Sequence, residues 1–407
     1  MTMANEGILA GMRVVEASAF VAAPLGGMTL AQMGADVIRI DALQGGLDYR
    51  RWPVTGDNVS LFWCGLNKAK RSVALDIAAP EGRELAMALI TAGGGDAGML
   101  LTNFPSRGWL SYEALKAMRA DMIQLTIQGD RHGGSAVDYT VNPGIGLPLI
   151  TGPEDSVDVV NHVLPAWDLV TGQMAALGLL AAERHRRLKG EGQHVKLALE
   201  DVALAVMGHL GFIAEAQLGH ERERVGNYLY GAFGRDFLSA DGERVMVVGL
   251  TLKQWRLLCD ATGLGDAMSA LASCLGRDFT KEGERYRSRN EIAKVIEHWI
   301  AQRAFSEVEA AFNQHGVCWS RYRSISQLVD TMSSDPEMNP MFKMLHQPDV
   351  GNILTPDIPF DFSAFSRNGP VRAPYLGEHT EQVLAEVLGL SSSEFGKLCE
   401  RGVVTKS

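Results

Sequence analysis

The chain has 407 residues, is 46% hydrophobic and 21% charged, and carries a formal net charge of −10. Its length exceeds what one hydrophobic core usually organises, so two domains are expected. The ordinary composition excludes wholesale disorder, and the negative total excludes a surface built for nucleic acid. Five cysteines (Cys64, Cys259, Cys274, Cys318 and Cys399) are scattered and never form a CxxC pair. That pattern fits a reducing cytoplasm and argues against a disulfide framework or a zinc site. The opening MTMANEGILAGMRVVEAS has no basic stretch followed by a long apolar one, so no signal peptide is expected. The apolar run from Leu169 to Ala182 is shorter than the ~20 residues that span a bilayer, and is expected to be a buried core helix with no membrane role.

In chain order, strands and helices alternate. Met12–Glu16 reads as a short strand, Pro24–Met33 as a helix stopped by Gly34, and Ala35–Ile40 as a second strand. Ser72–Leu75, Gly98–Leu101 and Met122–Ile127 read as further strands, with helices from Pro80 to Ala92 and from Tyr112 to Met118. Such alternation implies a parallel sheet covered on both faces, an α/β arrangement over residues up to about 160. Asp168–Lys189 is the clearest helix: it is rich in Ala and Leu, ends in basic residues and is followed by Gly190. A second helix is expected over Glu200–Gln217. Beyond Arg222–Gly234, DFLSADGERVMVVGL reads as two strands joined at Asp241-Gly242, with helices at Leu252–Thr262 and Arg289–Gln302. The prolines Pro356, Pro359, Pro370 and Pro374 suggest an extended return, closed by a helix at Glu378–Leu388.

Several chemistries lack their signatures. A dinucleotide site with Asp41 as ribose ligand would need G-x-G-x-x-G, but the turn reads ASAFVAAPLGG and its glycines fall inside the helix. The histidines form no HExxH, with His185 and His194 simply near a helix end, so no metal site is expected. No G-x-S-x-G elbow is present, and Cys64 sits in an apolar stretch as a packed residue would. Asp168, at the start of the clearest helix, fits two roles: an N-cap worth ~1 kcal/mol, or a nucleophile. A helix N-terminus keeps such a carboxylate ionised but blunts its reactivity. Lys68, Lys70 and Arg71 form a basic cluster that suits either a solvated turn or a phosphate contact. Asn103 and Phe104 follow a strand directly, where open α/β sheets bind ligands.

Seven segments carry a family resemblance: 11–41 (GMRVVEASAFVAAPLGGMTLAQMGADVIRID), NKAKRSVALD, TNFPSRG, PAWDLVTG, GEGQHVKLALEDVAL, YGAFGRDFLSADG and APYLGEHTEQVL. In this order, over almost the whole chain, the sequence resembles the family III CoA transferases. The resemblance implies an α/β fold with a large Rossmann-like CoA-binding domain formed by both chain ends, a smaller α+β domain, and an interlocked homodimer. The corresponding ranges are 1–220, 228–330 and a C-terminal return over 331–407.

It further implies Asp168 as the catalytic nucleophile, attacking an acyl-CoA thioester to give an aspartyl anhydride and then an aspartyl-CoA thioester. CoA contacts carried over by position are Phe20, Val21, Ala22, Arg39, Leu66, Lys70, Asn103, Phe104 and Arg107. No cofactor is implied beyond the CoA of the substrate, and the expected location is cytoplasmic. In the segment AVDYTV, Val137 precedes Asp138 where the related racemases carry His, so α-proton exchange would lack a base. Within the family, GGLDYRRWPVT, VLPAWDLVTG and GNYLYGAFGRDF are most similar to members that move CoA between the C1 and C4 carboxylates of mesaconyl-CoA. Arg50, Arg51, Trp52, Val137 and Asp138 then become candidate pocket residues. The alternatives are intermolecular transfer to a free dicarboxylate, a racemase, and a protein that binds CoA without turnover.

Overall fold

A computed structural model describes residues 7–335, 337–365 and 369–405. The chain divides into two compact units: Met1–Ile145, Val163–Ile213 and Met332–Ser407 in the larger, and Gly146–His162 with Ala214–Thr331 in the smaller.

Strands and helices alternate from the start: β1 (Arg13–Ala17), α1 (Ala22–Gln32), β2 (Asp36–Asp41), α2 (Leu61–Leu66), β3 (Arg71–Ala74), α3 (Pro80–Thr91), β4 (Met99–Thr102), α4 (Tyr112–Met118) and β5 (Ile123–Gln128). Then come α5 (Asp138–Gly144), α6 (Leu147–Ile150), α7 (Ala166–Lys189), β6 (His194–Ala198), α8 (Leu199–His209) and α9 (Phe212–Gln217). The six strands form one parallel sheet in the order β3-β2-β1-β4-β5-β6. Val15 stands opposite Ile38 on one side and Leu100 on the other, at the centre of the sheet.

Both faces of the sheet are covered, so successive residues of a strand enter different cores. Val14, Val37, Met99 and Leu101 pack with Leu30 of α1 and Ala175, Ala176 and Leu179 of α7. Val15, Ile38, Val73 and Leu100 face Leu89 and Ile90 of α3, together with Val383, Leu384, Phe395 and Leu398 from near the C-terminus. Glycines set the contact between α1 and α7. A Cβ on Gly172 would stand 2.7 Å from the Ala22 carbonyl oxygen, and one on Gly26 would stand 2.9 Å from that of Gly172. The paired glycines of PLGGMT thus serve helix packing, with Gly27 leaving room for the Glu16 carboxylate.

The smaller unit holds β7 (Phe233–Leu238), β8 (Arg244–Gly249), α10 (Leu252–Thr262), α11 (Gly265–Leu275), α12 (Glu282–Arg287), α13 (Arg289–Ala301), α14 (Phe305–His315) and β9 (Cys318–Arg321). Its sheet is antiparallel, β7-β8-β9, and packs Phe233, Phe237, Val245 and Val247 against Trp255, Ile292, Ile296 and Phe312. The chain continues through α15 (Ile325–Ser334), β10 (Phe342–Gln347), β11 (Gly351–Pro356), α16 (Thr380–Leu388) and α17 (Ser392–Glu400).

One expectation is corrected. The helix expected over Glu200–Gln217 is broken into α8 and α9 at Gly211, whose φ of 81° no helix accommodates. Ahead of the return segment, β10 and β11 pair as an antiparallel hairpin. Among the described residues, no helix is long and apolar enough to cross a membrane.

Candidate active site at the carboxyl end of the sheet

From β1 the sheet order runs one way through β2 and β3, and the other through β4 to β6. The crevice outside the carboxyl ends of β1 and β4 is therefore the place where such sheets bind ligands. Two loops meet there. Asn103, just past β4, clamps the loop after β1: its Oδ1 accepts from the Ala19 N–H at 3.0 Å, and its Nδ2 donates to the Ala19 oxygen at 2.7 Å. The Thr102 hydroxyl donates to the Ala17 oxygen at 2.7 Å and accepts from the Phe104 N–H at 3.0 Å. Held this way, Phe20 adopts a left-handed φ of 69°, a strained conformation for a bulky residue, with its ring partly exposed. Val21 and Ala22 are buried as the chain enters α1, Phe104 packs against the sheet, and Arg107 is exposed. Leu66, half-buried, ends α2.

Asp168 sits on α7, one helical turn before Gly172 on the same face, and Gly172 rests on the Ala22 carbonyl. This packing brings Asp168 beside the Phe20 loop. The residue is not the helix N-cap. Pro165 holds that position and makes no side-chain cap, while Asp168 is the third helical residue.

The capping duty falls to Asp138 at the start of α5. Its Oδ2 accepts from the Trp167 N–H at 2.7 Å and from the Asp168 N–H at 3.4 Å. The Trp167 indole N–H donates to Asn142 at 3.2 Å, tying the same two helices together. Asp138 is fully buried, so it supports the site from beneath and lines no open pocket; Val137 beside it is exposed.

This arrangement reverses the electrostatics expected at a helix start. The first-turn N–H groups that would have calmed Asp168 serve Asp138, whose negative charge adds to the effect of burial. Desolvation first, and Asp138 second, push the Asp168 carboxyl up to about 6, with the positive charge of Arg51 opposing them. At neutral pH the carboxylate is mostly ionised, yet more basic and less solvated than an ordinary aspartate. Those are the properties of a usable nucleophile.

Arg50, Arg51 and Trp52 point in alternate directions. Arg50 and Trp52 line a cleft of about 500 Å3 with Tyr49, Trp63, Cys64 and Tyr375. The guanidinium of Arg51 lies instead over the Phe20 ring at 5.4 Å and over the Phe62 ring at 5.2 Å.

Arg39 and Lys70, expected as CoA contacts, are fully buried and face inward. The Nε of Arg39 donates to Asp41 at 2.9 Å, Nη1 to Asn67 at 2.9 Å, and Nη2 to Asp48 at 3.0 Å and to the Ser18 oxygen at 3.2 Å. Lys70 Nζ donates to Glu16 at 2.9 Å, to Asn67 at 2.8 Å and to the Pro24 oxygen at 2.8 Å. Burial lowers the Lys70 ammonium to about 8 even so, and raises the Asp48 carboxyl. Both cations brace the loops after β1 and β2. Asp41, the position a dinucleotide ribose would use, is turned onto Arg39 as well.

Sequence reasoning missed Glu16, Asp48, Asn67 and Asn142. A signal for the first existed: an acid inside the apolar strand MRVVEA is buried only with a partner. Among the described residues, no group of three or more His, Cys, Asp or Glu side chains is placed to hold a metal ion.

The model of CoA-transferase family III matches residues 9–380. The 2-methylfumaryl-CoA isomerase of Chloroflexus aurantiacus is 59% identical over 404 residues, covering 98% of each chain. The succinate–glutarate CoA-transferase of Agrobacterium fabrum is 28% identical, over 93% of this chain and 95% of its own. The crystal structure of a CAIB/BAIF family protein from Brucella suis superposes with a TM-score of 0.75 at 25% identity, over 94% of this chain and 99% of that one. With a six-stranded parallel α/β core and a family match running nearly end to end, this chain belongs to CoA-transferase family III.

Proposed function

We propose that the chain moves CoA within one molecule, from the C1 to the C4 carboxylate of mesaconyl-CoA, converting 2-methylfumaryl-CoA to 3-methylfumaryl-CoA with Asp168 as nucleophile. The 59% identity to the Chloroflexus isomerase over 98% of both chains carries the substrate assignment. The half-buried Asp168, with its carboxyl near 6 beside the switch-point crevice, supports the chemistry. The Asp168 carboxylate attacks the thioester carbonyl, forming a mixed anhydride and releasing CoA thiolate. The thiolate attacks the aspartyl carbonyl, giving an aspartyl-CoA thioester and the free diacid. The C4 carboxylate then attacks that thioester, re-forming an anhydride and thiolate. Attack of the thiolate on the C4 acyl carbon releases product and restores Asp168. The strained loop around Phe20 leads into the first turn of α1, whose N–H groups suit a developing oxyanion. Because donor and acceptor share one skeleton, the second acid is present at high effective concentration.

The same reading makes the protein a cytoplasmic, interlocked homodimer that uses no cofactor besides CoA. Val157 (94% exposed) and Val163 (95% exposed) support a partner surface, since a lone chain leaves them in water. Incubating mesaconyl-C1-CoA with the enzyme and labelled free mesaconate tests the reaction, with Asp168→Ala beside it. Unlabelled C4 thioester, lost in the variant, is the expected result. Label in the product would assign intermolecular transfer, and a fully active Asp168→Ala would overturn the mechanism.

A further inference from the structure

Several arginines around the sheet are held in ion pairs, and Arg51 is not among them. Arg13 pairs with Asp36, Arg39 with Asp41 and Asp48, Arg71 with Asp36 and Glu386, and Arg372 with Glu378. The Arg51 guanidinium makes no ion pair and no hydrogen bond among the described residues, and the residue is exposed. Two aromatic faces hold it instead, Phe20 at 5.4 Å and Phe62 at 5.2 Å. Stacking fixes the plane of a guanidinium while leaving its N–H edge free, which an ion pair does not. Phe20 is itself fixed by the Asn103 clamp on Ala19, and Ala22 beyond it lies under Gly172, one turn from Asp168. A rigid fork of donors with no internal acceptor therefore stands beside the proposed nucleophile.

We infer that Arg51 receives the second carboxylate of a dicarboxylic acyl-CoA, the one not carried as the thioester. The inference rests on the transferase reading and deepens it by naming what selects the substrate. In mesaconyl-C1-CoA the free group is the C4 carboxylate; in the product it is the C1 carboxylate. A planar fork accepts either one in a bidentate fashion while Asp168 attacks the opposite end. No covalent step passes through Arg51. Its contribution is binding and register, so an acyl chain ending in methyl loses it entirely.

The test compares Arg51→Met and Arg51→Lys with wild type on matched substrates at pH 8, well above the Asp168 carboxyl at about 6. Mesaconyl-C1-CoA is set against tiglyl-CoA, which carries methyl in place of the C4 carboxylate. Succinyl-CoA against butyryl-CoA forms a second pair. Exchange of labelled free CoA into each thioester reads anhydride formation in all four. In Arg51→Met the preference for the dicarboxylic member, as a kcat/KM ratio, is expected to fall about 100-fold, as loss of a charge-assisted bidentate contact implies. Arg51→Lys is expected to recover part of it. An unchanged ratio, or equal loss on both members of a pair, would overturn the inference. The succinyl/butyryl pair distinguishes failure of this inference from failure of the isomerase reading: it reports on Arg51 even if wild type fails to isomerise mesaconyl-CoA.

Discussion

Two groups of acidic side chains lie around the loops that follow β1 and β2, and they meet opposite fates. Glu16, Asp41 and Asp48 surround Arg39 and Lys70, and the guanidinium and ammonium donate hydrogen bonds to all three carboxylates. Asp138 and Asp168 are arranged differently: Asp138 accepts the backbone N–H groups of Trp167 and Asp168, and burial and the charge of Asp138 push the Asp168 carboxyl up against the opposing charge of Arg51. The residue types are the same. Fully compensated carboxylates become a brace, whereas one whose burial outweighs the opposing charge stays basic and reactive.

The sharpest way to break this comparison is Asp168→Ala. Removing the proposed nucleophile is expected to lower kcat by at least about 10⁴-fold without lowering the urea midpoint. Comparable loss of stability and activity would mean that Asp168 also is a brace. Conversely, Arg39→Met strands the buried Asp41 and Asp48, while Glu16 keeps Lys70, and is expected to cost about 3–5 kcal/mol of unfolding free energy in urea. A loss below about 1 kcal/mol would show the cluster to be wet and weakly coupled.

The stability of Asp168→Asn relative to wild type should itself depend on pH. The folded carboxyl, at about 6, lies above its ordinary 3.8, so ionisation is harder in the native state. The native state therefore loses stability as pH rises through about 6, and keeps it below 4. After allowance for partial exposure, Asp168→Asn should gain about 2 kcal/mol over wild type at pH 8, vanishing near pH 4. Melting curves across that range check the sign.

Gly172→Ala comes next. Its methyl would meet the Ala22 carbonyl oxygen at 2.7 Å and force α1 from α7, at a cost of about 1–3 kcal/mol. The smallest effect is expected from Asp138→Asn, which removes the like charge. The acid limb of kcat, expected near pH 6 in wild type from the Asp168 carboxyl, should move down, read as a relative gain at pH 5 over pH 7. An upward move would mean that capping by Asp138 outweighs its charge.

Much of the scaffold was legible in sequence because its signals are local. The strand at Met12–Glu16 lies within one residue of β1, and the helix expected from Pro80 to Ala92 is α3. The basic last turn and Gly190 mark the end of α7 in the chain and in space. What escaped was mostly non-local or marginal. The strand β6 pairs with β5 across some seventy residues, and its HVKLA pattern is too short to stand out. Arg39 reads as a ligand contact by family resemblance alone, and Lys70 also because a basic cluster near a sheet edge usually faces water. Their partners Glu16, Asp41, Asp48 and Asn67 come from separate loops and strands that only folding assembles.

The sequence by itself determined the alternation of strands and helices, the membership of the family and the position of Asp168. Those depend on residue order, turn chemistry and periodicity, which act over a few neighbours. Only the tertiary structure decided that Asp168 is not its helix's cap, that Asp138 takes that place, and that Arg39 and Lys70 face inward while Arg51 does not. Burial and Coulomb interaction depend on distance through space, and thirty residues of chain separate Asp138 from Asp168, so no local pattern carries them.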